Sequence, residues 1–431
     1  MSSALGCLAL ALAAAPTPER TFELVLSPQL SVEVGARGVT SFQRMLFLYD
    51  DALTAALAFD ESTPAGKVAG VLGRLAKLGL LDVALANFML LFQHEVFGHG
   101  ARAREEGLSP TFQFSVPAPY RFIFDPGSQF GGFAYFDRPT FVDRDLPTIF
   151  GGIESETFMT HLFAVQALSR DGTLHFSESL SYLLGRSSYA SRLLEPGPLG
   201  TRAGGSDFGG DPDTYVQLLM GRFNLFGDDA LRTVGQRLVA AWATQLLDPL
   251  FWLCAKQLFF DYLWKGERWT RVPRFQVQQV GLLPTLRFNF SPFGAEHILS
   301  VIVIHPRFTI DASARAVSSG LATAVGLGAR LFGYKPVSWL ELGASLDVWL
   351  QPELLHEYRN AYDGRQQPGV SGMVEAHWRP FARWGFIAQV GYKTEGYVMA
   401  QPTRAGFFGL AGVSFTLGAP PPEAERGKPP G

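Results

Sequence analysis

Hydrophobic residues recur along this chain with two different periods. Apolar and polar positions alternate from residue 21 within the segment 17–39, which is rich in β-branched residues and predicts an N-terminal strand. The spacing is helical over residues 40–270, and the period is two over residues 271–418. The pattern therefore predicts an α+β fold, in which a mainly helical region is followed by an antiparallel, β-barrel-like region.

Two helices within the first region have distinctive patterns. Residues 79–101 are apolar on nearly every side, so this helix is expected inside the protein or at lipid depth, and Asp82 and Asn87 favour the protein interior. A second helix is predicted at 153–169. Between the two helices, residues 107–147 are rich in Pro, Gly and Phe, which predicts a β-loop excursion beside them.

The alternating segments of the second region are longer than most strands of soluble sheets and match the tilted strands of membrane barrels. Aromatic residues near their ends, such as Tyr334, Trp349 and Trp384, suit the interfacial girdles of a barrel. A soluble antiparallel sheet with one solvated face alternates in the same way and is the alternative. Outer-membrane barrels usually end on an aromatic residue, whereas here Phe415 precedes a tail, 419–431, with the composition of a disordered segment.

The N-terminus and the composition indicate where the protein resides. Residues 1–16 look like a secretion signal with an apolar core and small residues for cleavage. Its removal would leave Cys254 as the remaining cysteine, so no intrachain disulfide is expected. The formal net charge of -3 gives no basic surface for nucleic acid. We therefore expect an exported protein of the bacterial outer membrane, or alternatively of the periplasm, with membrane lipid as a partner.

The stretch His94–His99 (HEVFGH) places two imidazoles and a carboxylate at the end of the apolar helix. Positions five apart on an α-helix are rotated by about 140°, so His94 and His99 would not share a face. A single π-type turn absorbs one residue and would bring the two rings into line. Alternatively the helix is regular, and Glu95 and His99, which are four apart, share a face as ligands.

The second helix offers further ligands. Glu154 and His161 are seven residues apart, which is two turns, and lie on nearly one face. Glu156 points to the opposite side, so the two glutamates are expected to have different roles. Asp211 belongs to a glycine-rich loop with several carboxylates, which is a possible calcium site, but its spacing favours a flexible solvated loop.

A helix that carries H-E…H, followed by a helix that carries a glutamate, resembles the gluzincin type of zinc peptidase, here with an H-E-x-x-x-H motif. The resemblance implies that His94 and His99 bind Zn²⁺, that Glu154 is a third ligand and that Glu95 is the general base that activates zinc-bound water. His161 is a further candidate ligand, since it shares the face of Glu154. Together with the β pattern, the resemblance implies an outer-membrane-associated zinc-dependent hydrolase, specifically a metallopeptidase with a peptide or protein substrate.

Two other interpretations remain open at this stage. The chain is alternatively a non-enzymatic outer-membrane β-barrel or scaffold, whose helical insert plugs the lumen or docks a partner. The histidines and glutamates would then form a buried hydrogen-bonded network. A third interpretation is an intramembrane peptidase of the inner membrane, and the single long apolar helix and the later β pattern speak against it.

Overall fold

Helices lie against one face of a ten-stranded antiparallel sheet. The computed structural model of the protein describes residues 20–56, 60–115, 120, 131–135, 142–170, 172–190, 193, 210–354, 364–381 and 383–417. The helices come from the first part of the chain and most of the sheet from the second, which confirms the predicted mixture of helix and antiparallel sheet. The predicted signal peptide and the tail lie outside the described residues.

Helices make up most of the described chain before the large sheet begins. Their bounds are α1 Val32–Ala56, α2 Pro64–Glu105, α3 Val142–Arg170, α4 Phe176–Ser187, α5 Gly210–Arg222, α6 Asp228–Ala243 and α7 Pro249–Lys256. Two π-helical turns, Leu78–Asp82 and Gln93–His99, lie within α2, and a third, Gln257–Trp264, continues α7. The side chains of Thr63 and Asp248 cap α2 and α7, each of which starts with proline, as is typical of helix N-termini.

Two small strand pairs lie outside the large sheet. β2 (Thr111–Phe114) pairs with β3 (Gly132–Tyr135), and β4 (Thr173–His175) pairs with β5 (Trp269–Arg271). β2 and β3 are the described part of the predicted β-loop excursion, and β3 contacts the second π-helical turn of α2.

The large sheet is open. Its strands are β1 Arg20–Leu26, β6 Phe275–Val277, β7 Val280–Ser291, β8 Gly294–His305, β9 Phe308–Val317, β10 Val325–Val337, β11 Leu340–Pro352, β12 Gln366–Trp378, β13 Trp384–Lys393 and β14 Gly406–Leu417. Their order from edge to edge is β1-β14-β13-β12-β11-β10-β9-β8-β7-β6. In the described chain β1 and β6 do not pair with each other, so the prediction of a barrel is corrected to an open sheet. A period of two identifies the residues that share a face, but it does not determine whether the last strand meets the first.

The N-terminal segment 17–39 is a strand only over Arg20–Leu26, and the chain is helical from Val32 onward. Nearly all residues at the start of α1 are buried, because this end of the helix lies against the inward face of the sheet. Arg37 of α1 forms an ion pair there with Glu375 of β12. A helix end that is buried on most sides has no clear period of 3.6, which is why the short apolar alternation predicted a longer strand.

The two faces of the sheet have the reverse of the usual polarity. Exposed apolar side chains cover the face turned away from the helices; examples are Leu24, Leu299, Leu327, Leu346, Val374 and Val390. Charged and polar side chains line the face turned toward the helices; examples are Arg287, Asp311, Arg330, Glu375 and Gln389. A cavity of about 100 Å³ beside this inward face is lined by three arginines and three acids: Arg287, Arg315, Arg330, Glu33, Asp311 and Asp347. A water-soluble sheet packs its apolar face, not its polar face, against the core.

One helix of the described chain, α2, is long and apolar enough to cross a membrane. A bent pair, Asp228–Leu247 with Pro249–Trp264, passes the same test when its halves are taken together, and these halves meet at 60°. Length and composition alone do not distinguish such a helix from the core helix of a soluble protein.

A buried ion-pair network holds the end of α2 in place. Arg102 Nε donates to Glu154 Oε2 of α3 at 2.8 Å, and Arg102 Nη1 donates to Glu105 Oε2 at 2.9 Å. Glu154 also accepts a hydrogen bond from the backbone N–H of Ala400, between β13 and β14, at 2.8 Å. Because Arg102 and Glu154 are 1% and 0% exposed, this network joins α2, α3 and the sheet without help from solvent.

Arg102→Met should reduce the free energy of unfolding by about 3–5 kcal/mol, because it leaves the Glu154 carboxylate buried without its charge partner. Denaturant titration followed by tryptophan fluorescence measures this loss. Lys335→Met is the matched control, since Lys335 and Glu341, whose side chains are 56% and 28% exposed, form a surface ion pair at 3.7 Å. The control should lose less than about 1 kcal/mol. Equal losses in the two variants would contradict the structural role of Arg102.

Candidate metal centre

A π-helical turn brings His94 and His99 together at the end of α2. The turn covers Gln93–His99, and its wider winding aligns residues that are five apart. The Nε2 atoms of the two rings lie 3.0 Å from each other. The prediction of a π-type turn is therefore confirmed, and the alternative of a regular helix that pairs Glu95 with His99 is not what the structure has.

Asp211 provides the third group of this cluster. Its Oδ2 lies 2.9 Å from His94 Nε2 and 3.2 Å from His99 Nε2. The three ligand atoms lie within 4.8 Å of one another, so the group can hold a metal ion. Both histidine side chains are buried, whereas 23% of the Asp211 side chain is exposed, so the cluster is open to solvent on the side of Asp211.

The Nδ1 atom of each histidine is engaged by an acceptor outside the cluster. His94 Nδ1 lies 2.9 Å from Glu156 Oε1, and His99 Nδ1 lies 2.6 Å from the carbonyl oxygen of Thr148. Each acceptor favours the tautomer with the proton on Nδ1. The Nε2 lone pairs of both rings then point at the same place as the Asp211 carboxylate. Three electron-rich atoms this close repel one another unless a cation lies among them.

The electrostatics of the cluster show the same need for positive charge. Burial lowers the pKa of His94, but hydrogen bonds to Asp211 and Glu156 outweigh burial and raise the pKa well above its usual value. Burial also lowers the pKa of His99, but the charge of Asp211 outweighs burial and raises this pKa above its usual value. Burial alone would raise the pKa of Asp211, but the two imidazoles hold it well below its usual value. The cluster therefore stabilises a cation at its centre, either as bound protons or as a metal ion.

The position of Asp211 corrects the prediction of a solvated loop. Asp211 lies in the first turn of α5, directly after Gly210, whose φ is 77°. It is 112 residues away from His99, so no helical or strand period connects the two. The local signal that the sequence does carry is an acidic residue followed by Pro212, which is typical of a helix start.

Glu95 lies beside the histidines but outside the ligand group. Glu95 is 5% exposed. Burial raises the pKa of its carboxyl above the usual value, although the charges of His94 and His99 oppose this shift. Among the described residues, none donates a hydrogen bond to this carboxylate. Gly132 of β3 covers it so closely that a Cβ at position 132 would meet Glu95 Cγ at 2.6 Å. A buried carboxylate with a raised pKa has the properties of a general base.

Tyr189 completes one wall of the cluster. Its hydroxyl donates to Asp211 Oδ2 at 2.7 Å and lies 3.1 Å from His94 Nε2. The preceding residue, Ser188, donates to Glu156 Oε2 at 2.6 Å and so helps to orient the acceptor of His94. Tyr189 has no sequence motif that marks it, so reasoning from the sequence missed it.

A glycine allows α3 to approach α2 at this point. A Cβ at Gly152 would lie 2.2 Å from His94 Cε1, so any larger residue there would displace the imidazole. With Gly152 under the ring, Glu156 reaches His94 Nδ1 from the next turn of α3.

The structure does not bring Glu154 and His161 to His94 and His99. Glu154 is held by Arg102, and His161 Nε2 lies 2.7 Å from Asp311 Oδ2 on the inward face of the sheet. The spacing correctly placed Glu156 on the side of α3 opposite these two residues. The side of α3 that meets His94 is the side of Glu156, whereas the side of Glu154 meets Arg102, so Asp211 and not Glu154 is the carboxylate of the cluster.

No protein-family model matches this chain, and no curated protein matches it significantly.

Glu156→Gln should weaken metal binding by about 10- to 100-fold, because a neutral amide orients the His94 ring and supports its basicity less well than a carboxylate does. A competition titration of Zn²⁺ against a chromophoric chelator measures the affinity. His161→Ala is the control, since His161 lies on the other side of α3 and should leave the affinity unchanged. If both variants bind Zn²⁺ as the wild type does, Glu156 does not support the metal centre.

Proposed function

We propose that this protein is a zinc-dependent hydrolase associated with the outer membrane, and that it acts as a metallopeptidase. The observation that carries the proposal is the convergence of His94 Nε2, His99 Nε2 and Asp211 Oδ2, with both Nδ1 atoms held by acceptors outside the cluster. Two imidazoles and one carboxylate are a ligand set of catalytic zinc sites, in which a further position remains for water.

Each residue around the cluster would have a separate role in hydrolysis. A bound Zn²⁺ would supply a water of lowered pKa and a Lewis acid for the substrate carbonyl. Glu95 accepts a proton from the attacking water and delivers it to the leaving amine. The Tyr189 hydroxyl, which donates to Asp211 in the structure, would redirect its hydrogen bond to the negative charge that develops on the carbonyl oxygen. Glu156 and Thr148 keep the two imidazoles in the orientation and tautomer that ligation requires.

The choice of zinc depends on Glu95. Two histidines and one carboxylate also bind Fe(II) in oxygenases, so the ligand set alone leaves two metals. A buried carboxyl beside the ligands is the group that hydrolysis by metal-activated water requires in addition to the metal. The ligand set together with Glu95 therefore favours Zn²⁺ over Fe(II), and hydrolysis over oxygenase chemistry.

The position of β3 favours a peptide substrate. β3 passes Glu95 at Gly132, and β2 and β3 form a sheet of two strands. In the described chain the second edge of β3 has no strand partner, so its backbone groups are available to pair with an extended peptide. Addition of one water across a peptide bond held there would give an amine and a carboxylate.

The reversed polarity of the large sheet supports attachment to a membrane. Strands that face lipid are apolar on the outside and polar on the inside, as this sheet is. An apolar face of this extent would be a very large exposed patch in water. Exposed tryptophans near strand ends (Trp339, Trp378 and Trp384) suit the boundary between lipid and water. The apolar segment 1–16 supports export, and β-sheet membrane proteins belong to the bacterial outer membrane.

Metal analysis of the purified protein should find about one equivalent of zinc. His99→Ala and Asp211→Ala should each lose the metal, because each removes one of three converging ligands. Inductively coupled plasma mass spectrometry after dialysis measures the ratio. His161→Ala is the matched control and should keep the wild-type ratio. Iron in place of zinc would overturn the proposed hydrolysis.

Glu95→Gln should keep the metal and lower peptide cleavage by roughly 10²- to 10⁴-fold, because it preserves the shape of the side chain but removes the base. Mass spectrometry of a peptide library incubated with each variant measures cleavage. If Glu95→Gln loses its metal, Glu95 is a ligand and the assigned role fails.

A non-enzymatic outer-membrane scaffold is the second candidate function. It is favoured by α1, which lies against the inward face of the sheet and forms ion pairs there through Glu33 and Arg37, as a plug would. Purified protein without stoichiometric metal would support this candidate over the hydrolase.

A further inference from the structure

The exposed side of α2 is free of charge over most of its length. Every exposed residue from Val68 to Phe92 is apolar or glycine. The large side chains among them are Val68, Leu72, Leu75, Leu80, Phe88 and Phe92. At 1.5 Å per residue this stretch is about 36 Å long. A slightly tilted helix of that length spans the roughly 30 Å hydrocarbon layer of a bilayer.

The charged residues within this stretch are turned toward the protein. Lys77 Nζ lies 2.9 Å from Asp82 Oδ2 and also forms an ion pair with Asp50 of α1. The side chains of Lys77 and Asp50 are each 7% exposed. Asp82, which favoured a protein interior in the sequence, therefore does not oppose contact of the other side of α2 with lipid.

The first end of the stretch carries residues typical of a membrane boundary. Lys67 Nζ lies 5.0 Å there from the centre of the Trp264 ring, and lysine and tryptophan anchor helices at the interface between lipid and water. At the second end, Phe88 and Phe92 pack with Phe114 of β2, with ring centres 6.2 Å and 5.8 Å from Phe114. Phenylalanine favours the hydrocarbon, so this cluster extends the apolar side of α2 as far as Phe92.

α7 and its π-helical continuation share this property. The exposed residues from Leu246 to Trp264 are apolar apart from Lys256, whose ammonium reaches Asp261 Oδ2 at 2.6 Å. The aromatic side chains exposed there are Trp252, Phe259, Phe260 and Trp264. A long lysine side chain at such a position can carry its charge to the interface.

These helices connect β1, one edge strand of the sheet, with the part of β7 after Leu282, which β6 leaves without a strand partner on that side in the described chain. The Asp248 side chain at the start of α7 accepts a hydrogen bond from the backbone N–H of Leu286 in β7, at 3.2 Å. The π-helical continuation of α7 contacts α2, where Arg74 Nε donates to the Leu263 carbonyl at 3.1 Å. The contacts therefore lead from β7 through α7 to α2.

The far end of α2 contacts the segment that contains β1. Arg104 Nε donates to the carbonyl oxygen of Gln29, just after β1, at 2.7 Å. Phe97 packs in a small apolar cluster with Val25 of β1. The contacts from β7 through α7 and α2 to β1 thus link the uncovered part of β7 to the other edge of the sheet.

We infer that α2 and α7 complete the membrane wall that the open sheet begins, with lipid acyl chains in contact with both helices. This inference rests on the proposed attachment of the sheet to a membrane. It places the metal centre at the edge of the lipid layer, because the apolar side of α2 ends at Phe92, only about 3 Å along the helix axis before His94.

Spin labels on single cysteines test this arrangement in vesicles of phosphatidylethanolamine and phosphatidylglycerol. Leu72→Cys and Leu80→Cys are made in the full chain with Cys7 and Cys254 replaced by serine. Both labels should collide more often with dissolved oxygen, which concentrates in lipid, than with a water-soluble nickel complex. The ratio of oxygen collisions to nickel collisions should be highest at Leu80, which lies midway along the apolar stretch.

Two further labels separate this inference from the proposal on which it rests. Leu346→Cys reports the outward face of the sheet and should match Leu80, whereas Gln236→Cys, on the polar exposed side of α6, should favour nickel. If Leu346 favours oxygen but positions 72 and 80 favour nickel or exclude both reagents, the helices do not face lipid and the inference is overturned. If Leu346 also favours nickel, the attachment of the sheet to a membrane fails as well.

Discussion

The site depends on one electrostatic constraint, which is that the Nε2 atoms of two imidazoles are held 3.0 Å apart beside the Asp211 carboxylate. When both rings carry their proton on Nδ1, they remain in that position only if a cation, either added protons or a metal ion, lies between them. The protein fixes them there through their Nδ1 atoms, one with the Glu156 carboxylate and the other with the Thr148 carbonyl. Both acceptors belong to α3. The close approach of α2 and α3 therefore creates the requirement for a cation, and Asp211 adds the negative charge that makes a metal ion suitable.

The sequence predicts how His94 and His99 meet, but it does not predict which side of α3 faces them. The rotation of 100° per residue shows that His94 and His99 need a π-type turn to meet, and the structure has that turn. The sequence also separates Glu154 from Glu156 by face, but both faces of α3 are equally available to a neighbour. The choice depends on Arg102, which binds Glu154 inside the protein and leaves Glu156 to face His94. Tertiary packing therefore determines which side of α3 faces the site, and no local sequence pattern predicts it.

The fold shows the same division between local pattern and tertiary contact. Alternation predicted the long strands and their apolar face, because side chains of a strand point alternately to two sides. It did not predict that β1 and β6 would be left unpaired with each other in the described chain, since closure of a sheet does not follow from which residues share a face. The start of α1 was missed for a related reason. A helix that is buried on most sides loses the 3.6-residue period that identifies it.

The charged residues on the inward face of the sheet change what holds the helices in place. Apolar clusters join α3, α5, α6 and α7 to β7 and β8. Where the inward face is polar, charge pairing specifies the positions of the helices. Glu33 pairs with Arg330 of the sheet, Lys77 pairs with Asp82 and Asp50, and Arg102 pairs with Glu154. In such a low-dielectric interior an unpaired charge is costly, and a paired charge is held firmly. The histidine and aspartate cluster follows the same rule, with the difference that protons or a metal ion can supply its positive charge.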